Sequence, residues 1–550
     1  MKKIAIFLLP VLTLLVVSSC KKSFEDLTKN PNVASNAPAS LLLNGVLNDF
    51  PDLPDGAYAS NNQSAYVYKN TSNKDEIWCQ YYIYNYNYYG NNTYDFDSGA
   101  DYYTTLQNVV LMENQATATG GAAVNPYEAL GKFFRAYFFS KMSLERGDIP
   151  MTETLKGLSN LTPKYDTQKA VMVQCLAWLE SANSDLGQII ANPSIAGTGL
   201  GATLSSDQYF KGSLTQWQKV VNAFHLRLLL ELSKKAVSDP DMNIPSQFAA
   251  IVGDPVKYPL LTSSGDDLQY VFVSPTNYYP QTPANFGQNG SRQNTSQTYI
   301  KLLTTLNDPR VFVTAEPSRY SVDSLHQSPT AFSSFIGADP GLDLGTMYAN
   351  AGLQQYSFLN RKRYYSTYTG EPSIQIGFAE QEFNIAEGIN RGWATGNAET
   401  HYVAAIQTSW TYYSIPATGT FEAYFYHPTP TSGPSDDISY QKYPITTDWA
   451  TYYAQAGVKY AGGATGLTQI LQQKYLALFR HAGLESYFTY RRTGVPAFTT
   501  GPGTDNGQRI AQRFQYPTSE RTANTTNYNA ALQSQYGGND DINGVMWILK

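Results

Sequence analysis

The sequence predicts a mostly helical protein, a superhelix of stacked helix pairs that carries a loop-rich second lobe. Three observations predict it. Several long stretches place apolar side chains three and four positions apart, the spacing that lines one face of an α-helix. Two of these stretches, joined by a glycine turn, make a helix hairpin of about 35 residues, a length typical of stacking helical repeats. Between the helical stretches, residues 240–375 and 415–465 lose that period and gain Pro, Gly, Ser, Thr and Asn.

Taken in order, the chain opens with Met1-Lys2-Lys3, an apolar run from Ile4 to Val17, and Ser18-Ser19-Cys20. A charged start, a greasy middle and a small-residue exit are the parts of a secretory signal. The apolar run is about 14 residues and contains Pro10, short of the roughly 20 that span a bilayer as a helix. Residues 1–19 therefore read as a signal peptide. Val17-Ser18-Ser19-Cys20 resembles a bacterial lipobox, which makes Cys20 the lipidation site. The competing reading is a plain signal peptide with an incidental cysteine. Residues 20–40 read as a lipidated N-terminus and polar tether, with Pro31 and Pro38. The remaining domain spans 41–550.

Leu41, Leu42, Val46 and Leu47 predict a first short helix ended by Pro51 and Pro54. Residues 77–103 hold the densest aromatic patch, and its local structure stays open, because Tyr82, Tyr84, Tyr86 and Tyr88 would also line one face of a strand. Helix-pair units follow at about 103–145 and 168–236. Leu130, Phe134, Tyr137 and Phe138 carry the first stripe. Met172, Leu176, Leu179, Leu186 and Ile190 carry the next, interrupted only by Asn183, and Trp217, Val221, Phe224 and Leu228 carry the last. Such wide apolar faces must pack on neighbours.

The first insertion, about 240–375, reads as loops with short strands such as Tyr270-Val271-Phe272-Val273. Long loops of that kind tend to carry function. A third unit, about 379–413, places Ala379, Phe383 and Ala386 against Tyr402, Ile406 and Trp410 across the turn from Gly392 to Gly396. It suits a tetratricopeptide-type pair, although a strict repeat is absent. The second insertion, about 415–465, is polar and carries Pro428, Pro430 and Pro434. A fourth unit, about 469–490, rests on Ile470, Leu471, Tyr475, Leu478 and Phe479. The final stretch reads as irregular until Val545-Met546-Trp547-Ile548.

Composition narrows the function classes. Removing residues 1–19 takes away Lys2 and Lys3, leaving 36 basic against 44 acidic residues, a net charge of −8. With no basic stripe, nucleic acid is excluded as a main partner. Forty-three tyrosines are the anomaly. Phenol rings combine flat apolar area with a polar tip, which suits secreted surfaces that bind sugars or peptides, and equally suits helix packing. After Cys20, only Cys79 and Cys175 remain, read as two buried thiols with a bridge as the alternative.

No catalytic or cofactor motif is found. Gly131-Lys132 lacks the upstream glycine of a phosphate loop, and Gly197-Thr198-Gly199-Leu200-Gly201 has Ala202 where a dinucleotide fingerprint needs its third glycine. His225, His326, His401, His427 and His481 are too scattered for a zinc helix. Asp95, Asp97 and Asp101 alternate like part of a calcium loop, but Leu106 stands where the closing Glu belongs, so they are a weak metal candidate. No cofactor is expected. A glycosidase carboxylate pair leaves no sequence signature, so a surface glycoside hydrolase with an aromatic-lined cleft stays open as the alternative function, and an adhesin as a third.

The chain resembles the SusD/RagB family of nutrient-binding outer-membrane lipoproteins, in its SusD-like branch. Cys20 to Asn32 is similar to the family's start, and Glu145-Arg146-Gly147-Asp148-Ile149-Pro150-Met151 to its turn between early helices. Trp217, Asn222, Leu226-Arg227 and Leu228 fit its Trp…Asn…Leu-x-Leu-Arg helix. Asn307-Asp308-Pro309-Arg310, Glu387 to Trp393, Gln473-Lys474-Tyr475, Arg491-Arg492-Thr493-Gly494-Val495-Pro496, Arg513, Tyr516-Pro517, Glu520 and Asn524 follow in the family's order. Tyr487-Phe488 and Met546-Trp547 depart from the tryptophans common there while keeping aromatic bulk.

The resemblance implies a SusD-like superhelix and no enzyme. It implies a lipid-anchored protein of the outer membrane, facing the cell exterior. Its role would be to bind a glycan or peptide and deliver it to a SusC-like TonB-dependent transporter. Within that reading the ligand-binding candidates are Trp78, Tyr86, Tyr88 and Tyr89 in the tyrosine cluster, and Tyr278, Tyr279, Asn285, Phe286 and Arg292 in the first insertion. Both stretches combine aromatics with amides in loop-like sequence. Arg491 and Arg492 read as structural ties at a helix exit.

Overall fold

A computed structural model describes residues 37–50, 74–86, 91–99, 101–197, 204–429 and 431–550. The expected signal peptide, Cys20 and the tether behind it lie outside the described residues, apart from the tether's last positions. The helical body begins with α1 (Ala39–Asp49), α2 (Tyr103–Ala118), α3 (Pro126–Arg146), α4 (Gln168–Ala191) and α5 (Leu214–Glu231). It continues after the insertions' helices α6 (Ile244–Gly253), α7 (Gln297–Thr305) and α8 (Leu344–Gly352) with α9 (Phe378–Asn390), α10 (Ala398–Tyr412), α11 (Gly463–Ala477), α12 (Glu485–Thr493) and α13 (Thr525–Tyr536). Neighbours stack in sequence from α1 to α5. Then α5 meets α9, which packs on both α10 and α11. This is the expected superhelix of helix pairs.

Local chemistry sets the helix ends. Asn125 caps α3, its side-chain oxygen accepting from the Tyr127 and Glu128 backbone N–H groups with Pro126 in the first turn. The helix stops at Gly147, whose φ is 98° and where a Cβ would fall 2.3 Å from Gln535 and 2.5 Å from Tyr536. Gly494, at φ 76°, ends α12 in the left-handed conformation. Asn183, the break in the α4 stripe, is buried and fully used: it donates to Lys257 O and accepts from Gln218 and Asn222.

The residues that carry the family resemblance turn out to be polar joints between helices. Arg310 and Asp308 form an ion pair with both side chains fully buried, and Arg310 also donates to Ser409 on α10 and Gln473 on α11. Arg492 pairs with Glu387 on α9, and Arg227 clamps Glu380. Arg491 ties the carbonyls of Leu144 and Gln512, in accord with its structural reading. Tyr475 donates to the carbonyls of Cys79 and Gln80. The last residues close the body. Ile548 N–H donates to Gln168 Oε1 at the start of α4, and Lys234 and Lys235 hold the carbonyls of Leu549 and Lys550. Cys79 and Cys175 are both buried, and the Cys79 Sγ–H donates to the Gly483 carbonyl.

Among the described residues, three two-stranded antiparallel sheets shape the lobe. β1 (Tyr82–Tyr84) pairs with β3 (Gln293–Thr295), β2 (Leu268–Tyr270) with β4 (Ser373–Ile376), and β5 (Thr418–Tyr426) with β6 (Tyr440–Asp448). The lobe holds more regular structure than its composition announces. Residues read as loops form α6, whose Phe248 sits where a Cβ on Gly388 would lie 2.1 Å away, and α8, which buries only Met347. The second insertion forms the β5–β6 hairpin, masked in the sequence by Pro444 and by a half-exposed alternation. The C-terminal stretch read as irregular contains α13, whose apolar face is only Tyr528, Ala531 and Leu532. Among the described residues no helix is long and apolar enough to cross a membrane.

Candidate functional site

Pairing of β1 with β3 continues one step beyond the strands, where the Asn85 N–H donates to Arg292 O at 3.0 Å. That contact brings Asn85 and Tyr86 to Arg292. The α8 helix lies beside them, anchored by Met347 in a small cluster with Ile83, Ala338 and Tyr356. Its next residue, Tyr348, is 46% exposed and faces the Tyr86 ring at 5.1 Å. The Arg292 guanidinium sits 4.8 Å from the Tyr86 centroid and 5.9 Å from that of Tyr348, within cation–π range.

Asn85, Arg292 and Tyr348 line a concavity of about 550 Å³ together with Arg319, Gln354, Phe358, Arg361, Tyr426 and His427, with Tyr86 behind Arg292 and Tyr348. That volume suits a few sugar rings or a short peptide. Arg361 forms its floor. It pairs with Glu316 at 2.6 Å, donates to Gly290 O, and lies over the rings of Phe358, Tyr426 and Phe286 at 4.1, 5.5 and 5.8 Å. Its Nε is buried without a hydrogen-bond partner, as is the Asn85 Oδ1 acceptor. Arg319 stands at the edge in an exposed pair with Asp323.

The described lining contains no Asp or Glu, while Glu316 and Asp323 behind it are already engaged by arginines. A carboxylate pair for glycoside hydrolysis is therefore missing from this wall. Two acidic groups do flank a smaller cavity of about 140 Å³, Asp267 and Glu380. Burial pushes the Asp267 carboxyl up to about 7. Glu380 is held low against its burial by Arg227, which clamps both its oxygens. The space would hold about four or five waters, too little for a saccharide.

A second open concavity, about 680 Å³, lies elsewhere, between α1, the start of α5 and β2. Amides line it: Asn48, Gln208, Gln216, Gln269 and Asn277, with the rings of Tyr209 and Tyr270.

The structure disperses the sequence candidates. Tyr86 and Arg292 meet at the first concavity, and Phe286 lies just behind it against Tyr365 and Tyr426, at 5.4 and 5.2 Å. Asn285 is occupied in a capping box with Thr282. Tyr278 stacks on Tyr368 at 4.7 Å, half-buried. Trp78 and Tyr279 are corrections, because neither has surface to offer a ligand. Trp78 is 0% exposed, wedged against Phe96 and Phe514, with its indole N–H on Thr93 O. Tyr279 is 1% exposed and its hydroxyl accepts from Arg480. Tyr88 and Tyr89 lie outside the described residues. The calcium candidate does not converge either: Asp95 pairs with Lys74 and Asp101 caps Tyr103, and no group of three metal-ligating side chains occurs among the described residues.

Sequence reasoning missed Arg319, Tyr348, Phe358, Arg361, Tyr426 and His427. Two signals were there to read: the cationic-aromatic run Arg361-Lys362-Arg363-Tyr364-Tyr365, and Tyr424-Phe425-Tyr426-His427 ahead of Pro428.

Residues 47–517 match the SusD-like family described as starch-binding and associating with the outer membrane. No curated protein matches. A SusD homologue from Bacteroides fragilis superposes with a TM-score of 0.76 at 29% identity, covering 94% of this chain and 100% of its own. An outer membrane protein of Bacteroides vulgatus, proposed to be involved in nutrient binding, gives 0.73 at 27% identity, with 94% and 100% covered. A chitin-binding SusD homologue from Flavobacterium johnsoniae gives 0.64 at 20% identity, with 86% and 93% covered, a likeness of fold.

Proposed function

The chain belongs to the SusD-like family, and on that premise we propose that it is a cell-surface lipoprotein that captures a glycan and delivers it to a SusC-like TonB-dependent transporter. One observation carries the binding half: rings, amides and guanidiniums converge at the Arg292–Tyr348 concavity, whose described lining itself holds no carboxylate. Rings give sugar faces a flat apolar partner, and amide and guanidinium groups address hydroxyls. The described lining holds no carboxylate pair for glycoside hydrolysis, which supports binding over turnover.

Delivery follows from attachment. A lipid on Cys20 with residues 21–40 as tether keeps the domain within reach of a membrane partner, so the capture step and the transport step share one small volume. The surface that meets the transporter belongs to the helical body, whose faces are not needed for the ligand.

Binding, turnover, acylation and partner capture each test the reading. Calorimetric titration of the purified protein against glycan and peptide panels should give saturable binding, lost when Tyr348 and Arg292 are changed together, with no product in a hydrolysis assay. Turnover of the glycan would move the protein to the hydrolase class. Binding of peptides alone would keep capture and change the cargo. Separately, Cys20→Ala should abolish acylation and release the protein from the membrane. Co-purification of a TonB-dependent transporter with the tagged wild type is the expected outcome for the partner.

A further inference from the structure

We infer that the second concavity, between α1, α5 and β2, is an auxiliary site for a neutral glycan, holding another stretch of the polymer seated at Arg292 and Tyr348. The inference goes beyond the capture reading and rests on it for the class of ligand. The space measures about 680 Å³ and shares no lining residue with the first concavity.

Regular elements present its side chains. Asn48 comes from the last turn of α1. Gln216 comes from the first turn of α5, where the Ser213 side chain accepts from the Gln216 backbone N–H. Gln269 and Tyr270 stand on β2, held by its pairing with β4. The Tyr209 and Tyr270 rings lie 6.5 Å apart and are both half-buried, so each keeps surface for the face of a sugar ring.

The polar groups have capacity to spare. The side-chain amides of Gln216 and Gln269 are half-buried and engage no group among the described residues. Two contacts use only part of the groups they join. Gln208 donates to Asn48 Oδ1 at 3.2 Å, and Asn277 donates to the Tyr270 hydroxyl at 2.6 Å. The Asn48 amide hydrogens and the carbonyl oxygens of Gln208 and Asn277 are left for a ligand. Amides donate and accept, as sugar hydroxyls do.

Charge points the same way. The lining's charged residues are one lysine, Lys211, and one aspartate, Asp267. Asp267 is buried and turned to the Phe378 N–H at 2.6 Å, and burial pushes its carboxyl up to about 7. Lys211 is exposed, and a lone charge screened by water holds a polyanion weakly. A peptide would be read through slots for its side chains, whereas the unengaged groups here are amide tips. Polymer held at Arg292 and Tyr348 meets the second concavity as an intramolecular event, so even a weak contact there raises the overall affinity. A glycan many times longer than the protein's diameter can bridge the two. A short oligosaccharide occupies only the stronger.

The test uses the full-length protein in detergent, titrated with maltoheptaose and soluble starch, chitohexaose and glycol chitin, polygalacturonate, and gelatin as a peptide polymer. Changing Gln216→Ala and Gln269→Ala together should weaken binding of the preferred neutral polymer roughly tenfold. Affinity for the matching oligosaccharide should stay in place, and so should the thermal midpoint, because neither amide has a partner to lose. The pair Gln216→Leu and Gln269→Leu, which keeps side-chain bulk, should behave alike. Unchanged polymer affinity in both variants would overturn the auxiliary site while capture stands. An equal fall for oligosaccharide and polymer would make this the principal site and overturn its auxiliary role. A fall confined to polygalacturonate or gelatin would overturn the neutral-glycan assignment. No binding of any probe to the wild type would overturn both the inference and the capture reading beneath it.

Discussion

In the helical body Arg492 is 2% exposed and Glu387, its partner, 0%; at the concavity Arg319 is 29% exposed and Asp323 50%. Both are arginine–carboxylate pairs, and burial gives them opposite roles. Water does not reach the first pair, so each charge depends on the other, and Glu387 also holds Arg391. Water screens the second, so its partners can exchange. Arginine is a buried joint in one region and a solvent-screened surface charge in the other.

Breaking the buried joint is the strongest way to challenge this contrast. Glu387→Ala strands Arg492 and should lower unfolding stability by about 3–5 kcal/mol, read by denaturant titration. Acid probes the same pair. Burial alone would raise the Glu387 carboxyl, but Arg492 and Arg391 outweigh it and hold it at about 2, against an ordinary 4.5. The folded state therefore releases this proton more readily than the unfolded one. The resulting stabilisation, on the order of 3 kcal/mol, is complete above about pH 4.5 and disappears as pH falls toward 2. A Glu387→Gln protein should lack that part of the acid sensitivity.

Arg361 sharpens the contrast as an intermediate case. Its side chain is 10% exposed and Glu316 3%, so Arg361→Ala should cost about 2–3 kcal/mol of stability as well as distort the concavity's floor. Tyr348→Ala should leave stability alone and weaken ligand binding by about 1 kcal/mol, roughly fivefold. Asp323→Ala should shift stability by less than about 0.5 kcal/mol. A cost equal to that of Glu387→Ala would erase the distinction between the two regions.

The same divide explains what the sequence disclosed. Helices α3, α4, α5, α9 and α11 were legible because each buries a broad stripe, and burial of a stripe imposes a period. Helix α8 buries little beyond Met347, so no period is imposed and none was found. The β5–β6 hairpin was hidden because its outer face is exposed and carries Pro444. Trp78 looked like a ligand residue in an aromatic-dense stretch, but the rings that enclose it include Phe514, more than 400 positions along the chain. The concavity had the same difficulty in reverse. Arg292 was legible from its loop, whereas Arg319, Tyr348, Arg361 and Tyr426 join it only through β1–β3 pairing, α8 docking and the end of β5. The family-like motifs were legible because each is a local fragment of a joint, read without knowing its partner.

The clasp between Ile548, Lys234, Lys235 and Gln168 bears on how the protein comes into being. It closes loops of 315 and 380 residues, and the ties from Tyr475 back to Cys79 and Gln80 close others of 396 and 395. Contacts so remote along the chain are entropically expensive to form early and slow the approach to the native state. Helices α4 and α5 can assemble as soon as they emerge, but their ends stay unsealed until residues 548–550 arrive. A polypeptide halted a few residues short would keep most of its helices and lose the seal, and proteolysis at the head of α4 would be its signature.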